Sequence, residues 1–133
     1  MTYDEMIRIA YVDWGDESPI AAACENIVKR IREGTPDSFS HLTFTSIHRI
    51  SKLDLSRDQL ICLVQYLSGE RVPLFKVGFE YIGENESFIL DSENSYYAKT
   101  EGAIAHPETG EVIENVKADV YMFFYISSRD RDE

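Results

Sequence analysis

Apolar residues recur every three or four positions in three stretches of the first 69 residues, which is the spacing of one face of an α-helix. The first stretch follows Thr2, the second follows Ser18 and its neighbouring proline, and the third follows Ser56. Residues of these types cap helix N-termini, and a glycine ends each stretch. We therefore predict three helices and a mainly helical region over 1–69. Residues 37–53 fit a strand and a helix equally well and stay unassigned.

From residue 72 onward the apolar and polar positions alternate with a period of two, which is typical of strands. Turn residues separate the alternating segments, and the clearest hairpin turn is 106–110, with Pro107 and Gly110. Residues 91–95 are polar and are predicted to be a connector. The pattern predicts strands at 74–82, 87–91, 96–105 and 111–126, the last with a break near Asn115.

Helices followed by strands predict the α+β class. We expect the N-terminal helices to pack on a C-terminal antiparallel, curved, four- to five-stranded meander sheet that occupies 72–127. The chain has 133 residues, of which 44% are hydrophobic and 12% aromatic. This length and composition favour one folded domain over 1–133, with the charged segment 128–133 as a frayed tail.

The last predicted strand is apolar on both faces for seven residues. Val120, Met122, Phe124 and Ile126 alternate with Tyr121, Phe123 and Tyr125. A strand with one wet face would alternate with polar residues. We expect a second copy of the chain to cover the tyrosine-rich face, which would make the protein a homodimer through the sheet. A small apolar pocket under a curved sheet and coverage by the N-terminal helix are the alternatives.

The charge is strongly negative and uneven. The chain has 24 acidic and 13 basic residues, a net charge of −11, and residues 74–133 contribute −8 of it. This excess disfavours nucleic acid and anionic membrane surfaces as partners. It predicts that the strand half presents an acidic surface, which suits a basic protein partner.

The sequence carries no apolar run near the roughly 20 residues that a membrane span requires and no signal-peptide pattern at its start, so we expect a cytoplasmic protein. Its two cysteines, Cys24 and Cys62, lie in apolar helical runs and are predicted to be buried and reduced. No metal-ligand spacing, phosphate-binding loop or nucleophile motif occurs. We therefore expect no metal, no cofactor and no catalytic residue.

Two patches are candidate binding sites. In the first, three carboxylates surround the only tryptophan, and Trp14 and Asp16 are the candidates; the alternative is that Asp16 caps a helix and Trp14 anchors a core. In the second, acidic residues alternate with tyrosines along the predicted sheet. Its candidates for protein recognition are Glu80, Tyr81, Tyr96 and Tyr97, and the alternative is an ordinary solvated face.

Together these features predict a small acidic soluble protein that acts as a non-enzymatic protein-interaction module, an adaptor or an inhibitor. The order of helices and then a curved sheet resembles the cone-shaped NTF2-like domains, and this resemblance implies a dimer through the sheet or a ligand pocket in the cone. The alternative function is therefore a small-molecule-binding or enzymatic domain, with Glu80 or Asp119 as a base. Its pocket would be lined by Phe75, Phe79, Tyr81, Tyr97, Tyr121 and Phe123.

Overall fold

The computed structural model describes residues 1–126, and the predicted frayed tail 128–133 lies outside them. The chain divides into two compact units. Unit 1 comprises Met1–Val77 and the described residues from Phe124 onward, and unit 2 comprises Gly78–Phe123. The prediction of a single domain over 1–133 stays a prediction.

The described part of unit 1, residues 1–77 and 124–126, contains four α-helices. They are α1 (Tyr3–Trp14), α2 (Pro19–Glu33), α3 (Phe44–Ser51) and α4 (Arg57–Leu67). The three predicted helices are confirmed as α1, α2 and α4, and each begins directly after the predicted capping residue. The unassigned segment 37–53 contains a short 3₁₀ turn (Pro36–Phe39) followed by α3, which Thr43 caps.

The core of unit 1 forms around α2, which packs against α1, α3 and α4. Its most deeply buried side chains include Ile27, Ile47, Leu63 and Leu74, none of which is exposed. Each of the three helical residues faces inward because its helix presents one apolar stripe. Three of these four helices therefore follow from the local sequence pattern, and α3 lies in the segment that the pattern left unassigned.

Unit 2 is mixed. In chain order its elements are β1 (Lys76–Ile82), β2 (Ser87–Leu90), α5 (Ser92–Glu101), β3 (Ala103–Ala105), β4 (Val112–Glu114) and β5 (Val120–Tyr125), of which β1 and β5 extend by two residues each into unit 1. A three-stranded antiparallel sheet has the order β2-β1-β5, and Tyr81 of β1 pairs with Phe88 of β2. The antiparallel pair β3-β4 forms a separate sheet, in which Ile104 pairs with Ile113.

The class α+β is confirmed, but the four- to five-stranded meander is not. The predicted strand 96–105 is wrong over its first part, because Ser92–Glu101 forms α5 and only Ala103–Ala105 is a strand. The side chain of Asp91 caps this helix by accepting a hydrogen bond from the Asn94 N–H at 2.7 Å, and Gly102 ends it in the left-handed region at φ +68°. Ala98 is the one buried residue of α5, so the helix has no apolar stripe that a periodicity analysis could detect.

The hairpin prediction for 106–110 is confirmed. The His106 N–H donates to the Glu111 carbonyl at 2.8 Å, and the Gly110 N–H donates to the His106 carbonyl at 2.9 Å. The predicted break near Asn115 is also present, because Asn115 adopts a positive φ of 58° between β4 and a 3₁₀ turn that leads into β5.

The seven-residue apolar segment of the last strand is covered unevenly. Tyr121 and Met122 are 51% and 49% exposed, whereas Phe123 and Phe124 are 5% and 2% exposed. Within unit 2 the ring of Phe123 lies over Gly78 of β1, so close that a Cβ there would be 2.5 Å from its Cζ. The chain therefore buries Phe123 on one face of β5 and Phe124 on the other. The residue pair before them, 121–122, stays exposed.

Candidate functional site

The first candidate patch lies at the end of α1. The ring of Trp14 packs edge-on against Tyr66 of α4, with 5.3 Å between ring centroids. The neighbouring carboxylate of Asp13 accepts hydrogen bonds from the Tyr66 hydroxyl and, at 2.9 Å each, from two nitrogens of Arg71. The Arg71 guanidinium, and after it the Tyr66 hydroxyl, hold the pKa of Asp13 below its usual value. These contacts link α1 to α4. The Asp13 carboxylate already has hydrogen-bond partners within the protein.

Asp16, the other candidate in that patch, is exposed. The interpretation that Asp16 caps a helix is wrong, because Ser18 caps α2 by accepting a hydrogen bond from the Ile20 N–H at 3.1 Å. Sequence reasoning counted Asp13 among the three carboxylates of this patch but did not single it out, and its partners are 53 and 58 residues away along the chain. No local spacing could have indicated such a distant pair.

The two cysteines differ. Cys24 is buried, and its burial raises the pKa of the thiol to about 12. Cys62 is exposed, so the prediction that it is buried is wrong, because its position on α4 lies outside the apolar face that Leu63 and Leu67 form.

The histidines bind neighbouring groups. The Nε2 atom of His48 accepts a hydrogen bond from the Leu55 N–H at 3.1 Å. His106 accepts one from the Glu108 N–H through Nδ1 and contacts Glu86 through Nε2 at 2.8 Å. Within residues 1–126 no group of three or more histidine, cysteine or acidic side chains is arranged to hold a metal ion.

One flank of α5 forms an acidic hollow of about 280 Å³ in unit 2. Glu93, Tyr97 and Glu101 are spaced four residues apart, which places them on one side of the helix. Tyr97 and Val112 of β4 also line the hollow, and these two residues are 43% and 63% exposed. The hollow therefore offers an apolar floor with a carboxylate toward either end.

The backbone around the acidic hollow is held by one side chain. The amide of Asn94 donates to the Ala105 carbonyl at 2.9 Å and accepts from the Ala105 N–H at 3.0 Å. Asn94 thus makes with β3 the pair of hydrogen bonds that a neighbouring strand would make. Ala105 pairs in turn with Val112 across the hairpin, so helix, strand and hollow form one connected structure.

The other flank of α5 borders a larger groove of about 660 Å³, also within unit 2. We call it the lysine groove, because Lys99 of α5 and Lys117 both line it. Four large apolar residues supply most of the remaining wall: Phe79, Tyr96, Val120 and Met122. Tyr96 and Met122 are 63% and 49% exposed, so the apolar surface of the groove is open to solvent.

The predicted site residues line several different hollows. Tyr96 lines the lysine groove and Tyr97 lines the acidic hollow, and their rings are in edge contact, with 5.8 Å between centroids. Glu80 and Tyr81 are half-buried on β1, and Tyr81 lines a third hollow, with three carboxylates: Glu84, Glu86 and Asp119. On β5, Tyr121 is exposed, Tyr125 is half-buried and Phe123 is buried.

Sequence reasoning missed both lysines of the groove. A usable signal existed, because Lys99 and Lys117 are the only lysine or arginine residues between Gly78 and Phe123. Their meeting at one groove requires the helix α5, which the alternation pattern had assigned to a strand.

Comparisons with protein-family models, with curated proteins and with solved structures find no match for this chain. The resemblance to NTF2-like domains stays an expectation. Among the described residues, no helix combines the length and the apolar character needed to cross a lipid bilayer. Function is therefore inferred from the geometry of the sites alone.

Proposed function

We propose that the protein is a non-enzymatic protein-interaction module, an adaptor or an inhibitor, which binds a basic segment of a partner protein at the acidic hollow. The observation that supports this proposal is the exposed apolar floor of Tyr97 and Val112 beside Glu93 and Glu101. Exposed tyrosine with fixed polar neighbours is common at protein interfaces. The clamp by Asn94 holds the hollow in shape before binding, which reduces the entropic cost of association.

The chemistry of the hollow suits lysine or arginine. The apolar stem of such a side chain packs on Tyr97 and Val112, while its charged head meets a carboxylate. Unit 2 carries ten carboxylates and two lysines, a net charge of −8. A charge of this size attracts a basic partner over a distance and raises its rate of association.

The spacing of the two carboxylates suggests a motif. Glu93 and Glu101 are eight residues apart on α5, which corresponds to about 12 Å along a helix. An extended partner covers about that distance in four residues, and its residues at positions one, three and five point to the same side. The preferred segment is therefore basic-x-apolar-x-basic, with the apolar side chain over Tyr97.

Fluorescence polarisation with a labelled peptide Arg-Ser-Leu-Ser-Arg tests the proposal. We expect binding that weakens as salt rises from about 50 to about 500 mM. The double variant Glu93→Gln/Glu101→Gln should weaken binding about tenfold. The matched control Glu108→Gln/Glu111→Gln removes the same charge from exposed residues outside the hollow and should change binding much less. Equal losses in the two variants, or equal binding of a peptide with the leucine moved next to an arginine, would refute the proposal.

We also propose that a second copy of the chain pairs through the sheet, as the apolar character of the last strand suggests. Two observations support this proposal: β5 stands at the end of the strand order, and Tyr121 and Met122 are exposed on it. The backbone of Phe124 is already paired with Leu42, so the proposed contact concerns the part of β5 before Phe124. Strand edges with apolar side chains are ready templates for another strand. A strictly monomeric mass by light scattering at tens of micromolar would contradict the dimer.

The alternative function, a small-molecule-binding domain, is favoured by the lysine groove. Its enzymatic form lacks support there, because none of the residues that line the groove, all within the fully described unit 2, is acidic. Neither Glu80 nor Asp119 lines it. A cytoplasmic location stays a sequence-based prediction.

A further inference from the structure

The lysine groove differs in charge from everything around it. Unit 2 has twelve charged residues of the Asp, Glu, Lys and Arg types, and its only two cations line this one groove. All ten carboxylates lie outside the groove lining. The groove lining carries a charge of +2, whereas the unit as a whole carries −8. A random placement of these charges would give the groove a negative lining.

The two lysines are not engaged by the protein. Among residues 1–126, neither the Lys99 nor the Lys117 ammonium group has an ion-pair partner, although acidic side chains outnumber them five to one in the unit. Lys99 lies in the last turn of α5, where a cation stabilises the helix dipole. This stabilisation accounts for a lysine at position 99. It does not account for Lys117, which lies outside the helix.

Lys117 is held beside the same helix end by packing. Its Cε lies 3.5 Å from the position that a Cβ on Gly102 would occupy, so its stem runs along the glycine that ends α5. The adjacent Val116 N–H donates to the Gly102 carbonyl at 3.0 Å. These contacts fix the segment that carries Lys117 to the end of the helix that carries Lys99.

An anion bound between two ammonium groups offsets their mutual repulsion, so two lysines that line one groove favour an anionic ligand. The volume of about 660 Å³ falls in the range of roughly 300–1,000 Å³ that is typical of small-molecule sites. Phe79, Val120 and Met122 offer an apolar wall, and the exposed ring of Tyr96 offers a surface for stacking. The groove thus combines a cationic part with a larger apolar part.

We propose that the lysine groove is a binding site for an amphiphilic organic anion, a small molecule with one carboxylate or phosphate head and an apolar body. Lys99 and Lys117 bind the head, and the body lies against Phe79, Val120 and Met122. The site is separate from the acidic hollow and does not depend on a protein partner. A fatty acid and an aryl carboxylate share this chemistry, and ligands of both types serve as probes.

The methionines provide a direct readout of location. The chain has three, and they are Met122 in the groove, Met6 buried in unit 1 and Met1 at the chain start. In protein with ¹³C-labelled methionine methyls, titration with decanoate or naphthoate should shift the Met122 signal in a saturable manner. The Met1 and Met6 signals should stay in place. Shifts of Met6 or Met1 without Met122, or no saturable shift with either probe, would overturn the proposal.

Matched ligands and variants test the role of the charge. Decanol and decylammonium have ten carbons, as decanoate has, but carry no negative charge, and we expect both to bind about tenfold more weakly. The double variant Lys99→Gln/Lys117→Gln changes two exposed residues. It should weaken the binding of decanoate about tenfold and leave the binding of decanol unchanged. Lys52→Gln, an exposed lysine of unit 1, is the control and should bind as the unchanged protein does. Equal affinity for the three ligands, or no effect of the double variant, would overturn the assignment of an anion.

Discussion

Replacing Gly78 with alanine would place a methyl group against the ring of Phe123 inside unit 2. A Cβ on Gly78 would lie 2.5 Å from Cζ, 2.8 Å from Cε1 and 3.1 Å from Cε2 of that ring. Carbon atoms in packed interiors stay about 3.5–4.0 Å apart. Because Phe123 is only 5% exposed, its ring has no solvent-filled space into which it could turn, so either the ring or the strand must shift.

The size of the effect follows from two opposing contributions. Forcing an extra carbon into a packed site costs about 1–3 kcal/mol. Alanine also restricts the unfolded chain relative to glycine, which stabilises the folded state by about 0.4–1 kcal/mol where the backbone is compatible. The backbone is compatible here, because Gly78 is not among the residues with positive φ. We therefore expect Gly78→Ala to lower the free energy of unfolding by about 1–2 kcal/mol.

Urea denaturation measures this change, and amide hydrogen exchange at residues 79–82 of β1, which lie in unit 2, is the local probe. Phe123→Leu removes the ring atoms that the new methyl would meet. In a double-mutant cycle, Gly78→Ala should therefore cost about 1 kcal/mol less in the Phe123→Leu background. Gly69→Ala is the control, because its Cβ would be 3.4 Å from its nearest neighbour, an ordinary contact distance. A neutral Gly78→Ala, or strictly additive single changes, would refute the reasoning.

Three further predictions concern single side chains. Asn94→Ala should lower the free energy of unfolding by about 1–2 kcal/mol, since two hydrogen bonds to the backbone are lost. The exposed control Asn85→Ala should change it by less than about 0.5 kcal/mol, and equal changes would contradict the clamp. Asp13→Asn should lower the urea midpoint at about pH 7 but much less at about pH 3. The reason is that the folded-state pKa of Asp13 is lowered, so its stabilisation is present above the unfolded value of about 3.9 and is lost as pH falls through the folded value. A difference that is the same at both pH values would count against the ion pair. In native protein at about pH 8, a thiol reagent should label Cys62 rapidly and Cys24 only on unfolding, because burial raises the pKa of Cys24 to about 12; two fast thiols would contradict this burial.

The candidate sites were only partly accessible to sequence reasoning. Tyr96 and Tyr97 were candidates because they are aromatic residues in an acidic region, and both line hollows on the surface. Their rings are in edge contact, with 5.8 Å between centroids, while each ring borders a different hollow. The assignment of both tyrosines to one recognition surface stays a prediction. What the sequence pattern did not give is the helix Ser92–Glu101, whose two flanks border the two hollows.

The sequence by itself determined the features that depend on neighbours along the chain. The starts of α1, α2 and α4, the hairpin turn at 106–110, the break at Asn115 and the α+β class all follow from capping residues, turn residues and apolar periodicity. These signals act over a few residues, so one chain segment contains all the information needed. The same holds for the concentration of negative charge in the second half.

Only the tertiary structure decided the features that join distant segments. The helix α5 buries a single alanine and is tied to β3 by Asn94, 11 residues from its partner. The fold brings Lys99 and Lys117 to one groove and places Phe123 over Gly78. The physical reason is that packing and long-range hydrogen bonds outweigh the weak local preferences of a segment without an apolar stripe, and these contacts exist only once the chain has folded.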